Sequence, residues 1–514
     1  MKKRLGTLLL ALLMLLSIVP GQCFAEEAAV LAISEDVETQ QVSLPEDIDT
    51  SDNELEGYLY YLGGLKAPDT AASAPRRGVM RAKAVHTTTE EIIQLLIPKI
   101  REFAEGADAS TGDTAEAVIT ISQAEMEAVG IKTTLTRADL GLSDTDPINT
   151  ADIEALGYNG TTIFHQILSR LPYELYWMDK SYQKTNDLGN GYYEIVDSAF
   201  SFNSGIKFWV YGNDPTNSMN YATAGPMTFT FKVSKDYAAN GERGTSVAAK
   251  SKLSAAKETA AGAMQVVLNN KNKNNYEKLV AYKDYICKQV EYDHTAAADE
   301  NYPYGDPWQM INVFRGKPVV CEGYSKAFKY LCDLTWKDAS PAVKCYLATG
   351  TMTGGTGAGL HMWNIVTIGG KNYLADVTNS DAGSAGQYGG LFLNGVTGNV
   401  ETRYVAETKT AHGASSQRMT FVYDDVTKSI YDTELILSDT NYDPQTAVSE
   451  QYDLNGGGFD ISDLQYLFEY LSIGNVSSGT IDTTKADVNK DRQVNILDYQ
   501  ALYEAYKVWV SKAA

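Results

Sequence analysis

The chain is short of cysteine, histidine and basic residues for its length. Its 514 residues include 5 Cys, 5 His and 43 Lys or Arg against 65 Asp or Glu, so the formal net charge is -22. So few cysteines exclude a scaffold built from disulfide bonds. The excess of acidic residues argues against nucleic-acid binding, because affinity for nucleic acid depends mainly on Lys and Arg. The hydrophobic fraction of 44% is ordinary for a chain that buries several cores, and such a length predicts roughly two to four domains.

The first 25 residues have the pattern of an export signal. Three basic residues precede an apolar run at 8–19, which is shorter than the roughly 20 residues of a membrane span. The small residues there predict cleavage after Ala25. A lipid anchor on Cys23 is the alternative, although Gln22 fits the sequence pattern of lipoproteins poorly. No later apolar run approaches about 18 residues. We therefore expect a secreted, extracellular protein that is scaffold- or surface-associated and binds neither nucleic acid nor, after cleavage, a membrane.

Composition divides the remaining chain into five segments. An acidic stretch rich in Ser, Thr and Ala predicts a largely disordered spacer, and Thr and Glu residues near position 88 predict the start of the first ordered helix. Helices are also predicted at 246–270 and 276–292, and a strand at 228–233. The boundaries are 26–85 for the spacer, 86–240 for an N-terminal α+β domain of unknown role, 241–440 for a domain with chemical motifs, 441–452 for a linker and 453–510 for a C-terminal unit.

The C-terminal unit contains the same pattern twice. Asp453-Leu454-Asn455 matches Asp487-Val488-Asn489, and the residues from Asp463 onward match those from Asp498, with the first loop one residue shorter. An apolar helix face follows each loop. Those faces are Leu464, Leu467, Phe468 and Leu471 in the first copy and Tyr499, Leu502, Tyr503 and Tyr506 in the second.

Both loops present oxygen ligands at a spacing that suits calcium. This ion takes six to eight oxygens from a loop of about 12 residues that ends in a carboxylate. The first loop has Gly456-Gly457-Gly458 where a carboxylate belongs, so it is the weaker candidate. The predicted ligands are Asp487, Asn489, Asp491, the carbonyl of Gln493, a water on Asn495 and Asp498 in the second loop, and Asp453, Asn455 and Asp463, with Asp460, in the first.

On these residues the unit resembles a type I-like dockerin, the calcium-dependent module that attaches secreted enzymes to a cohesin on a scaffold protein. The resemblance implies a small all-α, EF-hand-like fold, Ca²⁺ as the cofactor and a cohesin as the partner. It also implies that Ile496 and Leu497 face the cohesin. The chain departs from the pattern in its short first loop and in Arg492, where glycine is common.

A separate motif at 317–325 places Cys321 where an extended run turns into a helix. The apolar residues that follow, from Tyr324 to Cys332, recur at helical spacing and predict one buried face. A thiol at a helix N-terminus lies near free N–H groups and the positive end of the helix dipole, and both favour the nucleophilic thiolate. Cys321 is the candidate nucleophile, whereas Cys332 fits the commoner role of a buried core residue.

A predicted hairpin supplies partners for that thiol. Gly369-Gly370 is a typical two-residue turn between a strand ending at Ile368 and a return strand starting at Lys371. If these two residues pair, His361 and Asp376 project from one face as diagonal neighbours, about 7–8 Å apart at the backbone. A carboxylate in that place holds one imidazole nitrogen and leaves the other for a thiol.

These motifs resemble those of transglutaminase-like, papain-related cysteine enzymes. The resemblance implies a catalytic triad of Cys321, His361 and Asp376, which forms an acyl-enzyme from an amide without a cofactor. It also implies an α+β core in which the helix carrying the cysteine packs on an antiparallel sheet, with Trp308 or Gln309 assisting at the oxyanion. The matching segments are 285–293, 320–325, 361–364 and 375–378, whereas residues 378–381 depart from the family pattern.

The leading functional expectation is a secreted, scaffold-attached thiol enzyme of a cellulosome type. It would act on amide bonds of proteins or peptides, as a peptidase, by transglutaminase-type acyl transfer or by deamidation. The alternative is a non-catalytic transglutaminase-like component of an extracellular polysaccharide-degrading complex. A glycosidase is a third class, but we find no paired-carboxylate motif for it.

The other cysteines after residue 25 leave two interpretations open. Cys287, Cys332 and Cys345 lie close in sequence to Cys321, and an even number of cysteines in a secreted chain is compatible with two disulfide bonds. The same set is compatible with one reactive thiol among buried, neutral ones.

Overall fold

The computed structural model combines helices with antiparallel sheets, which confirms the predicted α+β class. The predicted signal and nearly all of the predicted spacer lie outside the described residues. Among the residues that are described, no helix has the length and apolar character needed to cross a membrane. The described residues are 80–106, 112–189, 192–210, 219–299, 302–337, 343–354, 359–400, 403–424, 427–428, 435–444, 451–476, 479–489 and 492–513.

The first described helix shows that the predicted helix start near position 88 is wrong. Helix α1 already begins at Met80 and continues to Ala104. Inside it, the Thr89 hydroxyl donates to the carbonyl oxygen of Gly157 at 3.0 Å, and Glu90 pairs with Arg170 at 2.6 Å. These polar side chains therefore make tertiary contacts, which a local capping pattern cannot reveal.

Short helices and small sheets form the N-terminal part. After α1, its elements are β1 (Thr114–Glu116), β2 (Val118–Ile121), α2 (Gln123–Ala128), β3 (Thr134–Thr136), α3 (Arg137–Leu140), α4 (Thr150–Glu154), α5 (Gly160–Arg170), β4 (Gln183–Gly189), β5 (Tyr192–Ser198), β6 (Phe200–Asn203), β7 (Lys207–Trp209), β8 (Tyr221–Thr223), β9 (Met227–Phe231) and β10 (Val247–Ala249). Strand β9 alternates buried and half-buried side chains, as its sequence predicts. The helix predicted at 246–270 is partly wrong, since its first residues form β10 against β1.

A set of helices follows and carries the cysteine motif. These are α6 (Lys250–Ala260), α7 (Gly262–Asn269), α8 (Asn275–Gln289), α9 (His294–Ala298), α10 (Met310–Phe314) and α11 (Cys321–Thr335), with a 3-10 turn at Asp306–Trp308. Leu279, Tyr282 and Ile286 recur at helical spacing along α8 and are fully buried. Helix α11 starts at the predicted cysteine, and Tyr324, Phe328 and Leu331 on its apolar face are inaccessible to solvent.

One seven-stranded antiparallel sheet forms the other half of this region. Its strands are β11 (Val343–Thr353), β12 (Gly359–Ile368), β13 (Lys371–Ala375), β14 (Phe392–Asn394), β15 (Thr397–Val400), β16 (Arg403–Lys409) and β17 (Ser415–Tyr423). Their order across the sheet is β14-β13-β12-β11-β17-β16-β15. The motif strands β12 and β13 therefore lie inside the sheet, where neighbours on both sides restrain them.

Helix α11 packs on the central strands, and the sheet is buried on both faces. Cys345 of β11 and Val366 of β12 belong to the same hydrophobic cluster as α11 and the N-terminal part. Their neighbours Tyr346 and Ile365 point the other way into a second cluster. This separation follows from the alternation of side chains along a strand.

The C-terminal unit has a hydrophobic cluster of its own, which contains Leu464, Leu467 and Leu502. Its elements are α12 (Ile461–Ile473), α13 (Thr483–Ala486) and α14 (Ile496–Ala513). Leu464 and Leu467 are 2% and 0% exposed, as the helix-face pattern predicts. Phe468 and Tyr503 of the same apolar faces are 56% and 46% exposed, so these faces are only partly buried.

The start of α11 has no room for a side chain at Gly323. A Cβ atom there would lie 2.6 Å from the Cβ of Val319, whereas one at Gly262, the first residue of α7, would meet nothing within 4 Å. We expect Gly323→Ala to lower the free energy of unfolding by about 1–3 kcal/mol. The control Gly262→Ala should raise it by up to about 1 kcal/mol, because alanine favours helix. Urea unfolding measures both, and a stabilising Gly323→Ala would contradict the packing argument.

Candidate active site and calcium loops

Cys321 is the first residue of α11. The preceding Val320 is extended, with φ −88° and ψ 177°, and its side chain makes no capping hydrogen bond. The first N–H groups of a helix lack partners within the helix, and the positive end of the dipole lies beside them. The half-buried thiol of Cys321 is thus held at the end of the helix that favours its nucleophilic form.

The hairpin has the predicted register. Ile368 pairs with Lys371 and Asn364 with Ala375, so Asp376 comes directly after the last pair. His361 and Asp376 meet, with His361 Nε2 2.9 Å from Asp376 Oδ2. His361 is 7% exposed and Asp376 is 0% exposed. The side-chain contact inferred from turn length is therefore present.

The side chain of Cys321 also interacts with the imidazole of His361. Because Nε2 is taken by Asp376, Nδ1 is the ring nitrogen left for the thiol. Burial disfavours the imidazolium, but the charge of Asp376, its hydrogen bond and the neighbouring Cys321 outweigh it and raise the pKa of His361 to about 10. The three side chains predicted from separate motifs form one connected group.

Asn379 completes this group, and the sequence analysis did not assign it a role. Its backbone N–H donates to Asp376 Oδ1 at 3.0 Å, and its side-chain amide donates to Asp376 Oδ2 at 2.7 Å. The same amide nitrogen lies 3.3 Å from His361 Nε2. Asn379 stands in the 3-10 turn Thr378–Ser380, in the segment that departs from the family pattern. It fixes the carboxylate that orients the imidazole.

Gln309 has a different role from the predicted oxyanion contact. Its amide nitrogen donates to the hydroxyl of Tyr304 at 3.0 Å, and its amide oxygen accepts from Lys326 at 3.1 Å. Tyr304 and Lys326 also contact the carboxylate of Glu322. Lys180 of the N-terminal part pairs with the same carboxylate at 3.0 Å. Gln309 therefore belongs to a buried polar network behind the first turn of α11.

That network keeps Glu322 ionised although it is only 6% exposed. Burial alone would raise the pKa of this carboxyl, but the ammonium groups of Lys180 and Lys326 and the Tyr304 hydroxyl outweigh it and lower the pKa to about 2. Glu322, the residue next to the candidate nucleophile, is thus ionised at neutral pH and has three partners. Its contacts hold the helix start against two other parts of the chain.

Tyr292 is a further neighbour of Cys321. Its backbone bridges to Val319, two residues before the cysteine. Burial raises the pKa of Tyr292, as do the nearby Cys321 and Asp376 side chains, so the phenol stays protonated at neutral pH.

The two predicted calcium loops have matching internal hydrogen bonds. Asp463 Oδ1 accepts from the N–H of Asn455 at 3.2 Å, and Asp498 Oδ1 accepts from that of Asn489 at 3.0 Å. Both final aspartates are 0% exposed. Arg492 has φ +71°, so the position where the pattern favours glycine adopts the left-handed conformation. The loops therefore share one backbone design despite their different lengths.

The predicted calcium ligands divide into three groups. Asp491 lies outside the described residues. Asp460 caps α12 by accepting from the N–H of Ser462 at 2.6 Å. In the part of the chain that the structure describes, no three His, Cys, Asp or Glu side chains converge as a metal cluster. The oxygen donors fit calcium chemically; they are carried by Asp453, Asn455 and Asp463 in one loop and by Asp487, Asn489, Gln493 and Asp498 in the other.

The apolar residues predicted to face a partner are exposed. Ile496 and Leu497 have exposed fractions of 56% and 53%. The residue equivalent to Ile496 in the first repeat, Ile461, is also exposed, at 49%. Phe468 and Tyr503, which are also exposed, occupy equivalent positions in the two repeats. The duplicated sequence thus places apolar side chains on the surface of this unit twice.

Comparisons with known proteins do not identify a family. A scan against protein-family models matches none of them, and a search of curated proteins finds no significant match. The arguments for function therefore rest on the motifs and on the geometry described above.

The raised pKa of His361 predicts an unusual titration. We expect the imidazole to remain protonated through pH 6.5 and to titrate near pH 10 in an NMR titration. Since the folded pKa lies above the ordinary value, the stability that the imidazolium contributes is present below about pH 6.5 and is lost as pH rises through 10. Asp376→Asn should move the transition toward neutral pH, whereas the control Asp381→Asn, which changes a carboxylate bonded to Tyr324, should not. A wild-type transition near pH 6.5 would contradict the ion pair.

Proposed function

We propose that the chain is a thiol enzyme that cleaves or transfers acyl groups from amides of proteins or peptides. One observation carries the proposal: the His361 imidazole is hydrogen bonded to Asp376, and Cys321, at a helix N-terminus, interacts with the same imidazole. This is the arrangement of nucleophile, base and orienting carboxylate that acyl transfer requires.

The proposed reaction has two stages. The sulfur of Cys321 attacks the amide carbonyl, and the imidazolium of His361 donates a proton to the leaving amine as the C–N bond breaks. Water or a second amine then attacks the thioester, gives its proton to His361 and releases Cys321. Asp376 orients the imidazole throughout, and Asn379 holds that carboxylate.

Binding of the oxyanion involves the backbone N–H of Cys321. Cys321 is the first residue of α11, where a backbone N–H has no acceptor within the helix and can donate to the developing oxyanion. Gln309 is not part of this step, because its amide is bonded to Tyr304 and Lys326. Peptidase, transglutaminase and deamidase chemistry share these first steps and differ in the acceptor.

We also propose that the C-terminal unit is a dockerin that binds calcium and a cohesin of a scaffold protein. Two features support it: the matching loop hydrogen bonds and the apolar side chains exposed in both repeats. A scaffold-attached enzyme is then the combined function. A non-catalytic component of such a complex is the alternative, and measuring turnover distinguishes the two.

Substitution in the candidate triad tests the enzyme proposal. We expect Cys321→Ala and His361→Ala to abolish turnover of casein, or of a glutamine donor with an added amine. Asp376→Asn should lower kcat on the order of 10²–10⁴-fold, because Asp376 orients the base without transferring protons. Cys287→Ala is the matched control, since burial raises the pKa of that thiol to about 12. Activity that survives His361→Ala, or wild-type protein without turnover of either substrate, would refute the mechanism.

Calcium titration tests the dockerin proposal. The second loop retains the full ligand pattern, so we expect Asp487→Ala to weaken calcium binding roughly tenfold or more and Asp453→Ala to weaken it less. Because calcium binding is coupled to folding, the isolated segment 448–514 should gain helicity as the ion is added. Calorimetry on the full chain and circular dichroism on the segment measure these effects. Equal cohesin binding in chelator would contradict the proposal.

A further inference from the structure

A small aromatic cluster lies directly before the candidate nucleophile. It consists of four buried residues with two partly buried tyrosines packed against them, namely Ala296, Tyr304, Trp308 and Val320 with Tyr292 and Tyr302. The Trp308 ring stacks on Tyr304 with 5.2 Å between centroids, and its centroid lies 5.7 Å from that of Tyr302. The mechanism proposed above uses none of these rings.

Hydrogen bonds fix the aromatic cluster to the start of α11. The N–H of Val320 donates to the carbonyl oxygen of Pro307 at 2.9 Å. The hydroxyl of Tyr304 donates to the carboxylate of Glu322 at 2.6 Å. These two bonds hold the residues on either side of Cys321, so the cluster has a fixed place beside the thiol.

Tyr302 presents an aromatic side chain at the surface of this cluster. Trp308 and Tyr304 are only 8% and 4% exposed, whereas Tyr302 is half-buried. Burial and the carboxylates of Asp293 and Asp236 raise the pKa of Tyr302. A partly open ring thus lies close to two acidic side chains, one from the segment before α9 and one from the N-terminal part.

Both carboxylates are held in place by backbone groups. Asp293 Oδ1 accepts from the N–H of Ala296, and Asp236 Oδ2 accepts from the N–H of Asp306, each at 2.9 Å. Asp306 is paired with Arg315, but no ion pair among the described residues involves Asp236 or Asp293. Residues 291–308 contain neither Lys nor Arg. Two negative charges beside the ring therefore lack a cationic partner in the described part of the chain.

We propose that the aromatic cluster, with Asp236 and Asp293, binds the positively charged side chain of an arginine or lysine next to the reacting amide of the substrate. The face of an aromatic ring attracts a cation, and the two carboxylates supply complementary charge. Lys180, whose ammonium lies 4.7 Å from the centroid of Tyr304, is already paired with Glu322. The inference rests on the proposed function, because it names the substrate side chain that the enzyme selects.

Labelling of Cys321 on the full chain tests this selection without requiring turnover. The two reagents are N-chloroacetyl-arginine amide and N-chloroacetyl-norleucine amide, which place different side chains beside the same electrophilic carbon. The thiolate sulfur forms a bond to that carbon and chloride leaves. The four described cysteines are free thiols, so peptide mapping assigns the label to each of them.

We expect the arginine reagent to label Cys321 about tenfold faster than the norleucine reagent, after division by their rates with glutathione. This preference should fall as the salt concentration rises, because ions screen the carboxylates. Equal rates for the two reagents would overturn the proposal.

Paired aspartate variants locate the origin of the preference. Asp236→Asn combined with Asp293→Asn removes two charges but keeps an oxygen acceptor for each backbone N–H, and it should reduce the preference to about threefold or less. The control combines Asp146→Asn with Asp187→Asn, two exposed residues that accept from the N–H groups of Ser143 and Gly189. It removes the same charge and should leave the preference unchanged. An equal loss in both double variants would assign the effect to net charge and overturn the proposal.

The contribution of the ring is tested at Tyr302. Tyr302→Leu should lower the preference for the arginine reagent, and Tyr302→Phe, which restores the ring, should restore it. A preference that Tyr302→Leu leaves intact would overturn the role of the aromatic cluster. The result is separate from the triad test: absence of turnover refutes the enzyme, whereas the labelling preference alone decides this inference.

Discussion

Helix α11 is buried on nearly all sides, so the charged side chains that it carries need partners inside the fold. Every residue from Glu322 to Leu334 is buried, although four of them carry charge. Buried charges are costly unless they are paired, and here Glu322 pairs with Lys326 and Lys329 with Asp333, each one turn along the helix. The two end residues, Cys321 and Thr335, are half-buried.

These pairs also explain how the N-terminal part is attached. Lys180 contacts Glu322, and the hydroxyl of Tyr173 donates to Asp333 at 2.6 Å, so both ends of α11 have a partner from that part. The hydrophobic cluster is continuous across the same boundary. Residues 86–240, for which the sequence shows no chemical motif, thus help to enclose the helix of the candidate nucleophile.

The candidate site combines this rigid helix with a restrained hairpin. Ser325 of α11 donates to the carbonyl oxygen of Met362 at 2.9 Å, and Asn364 donates back to the carbonyl oxygen of Ser325 at 3.0 Å. His361 lies beside these contacts, so its distance from Cys321 is set by packing and hydrogen bonds. Preorganisation of this kind is what acyl-transfer chemistry needs, and it supports the proposed enzyme function.

Three local patterns could be predicted from the sequence: the start of α11 at Cys321, the hairpin register that joins His361 to Asp376, and the duplicated loops. Each follows from spacing along a few residues, through helical periodicity, turn length or ligand order. The contacts of Asn379 with Asp376, and of Gln309 with Tyr304 and Lys326, could not be predicted in this way. Those contacts depend on how the segments pack together, and local spacing carries no information about that packing. Phe468 is exposed because few elements of the small C-terminal unit cover it.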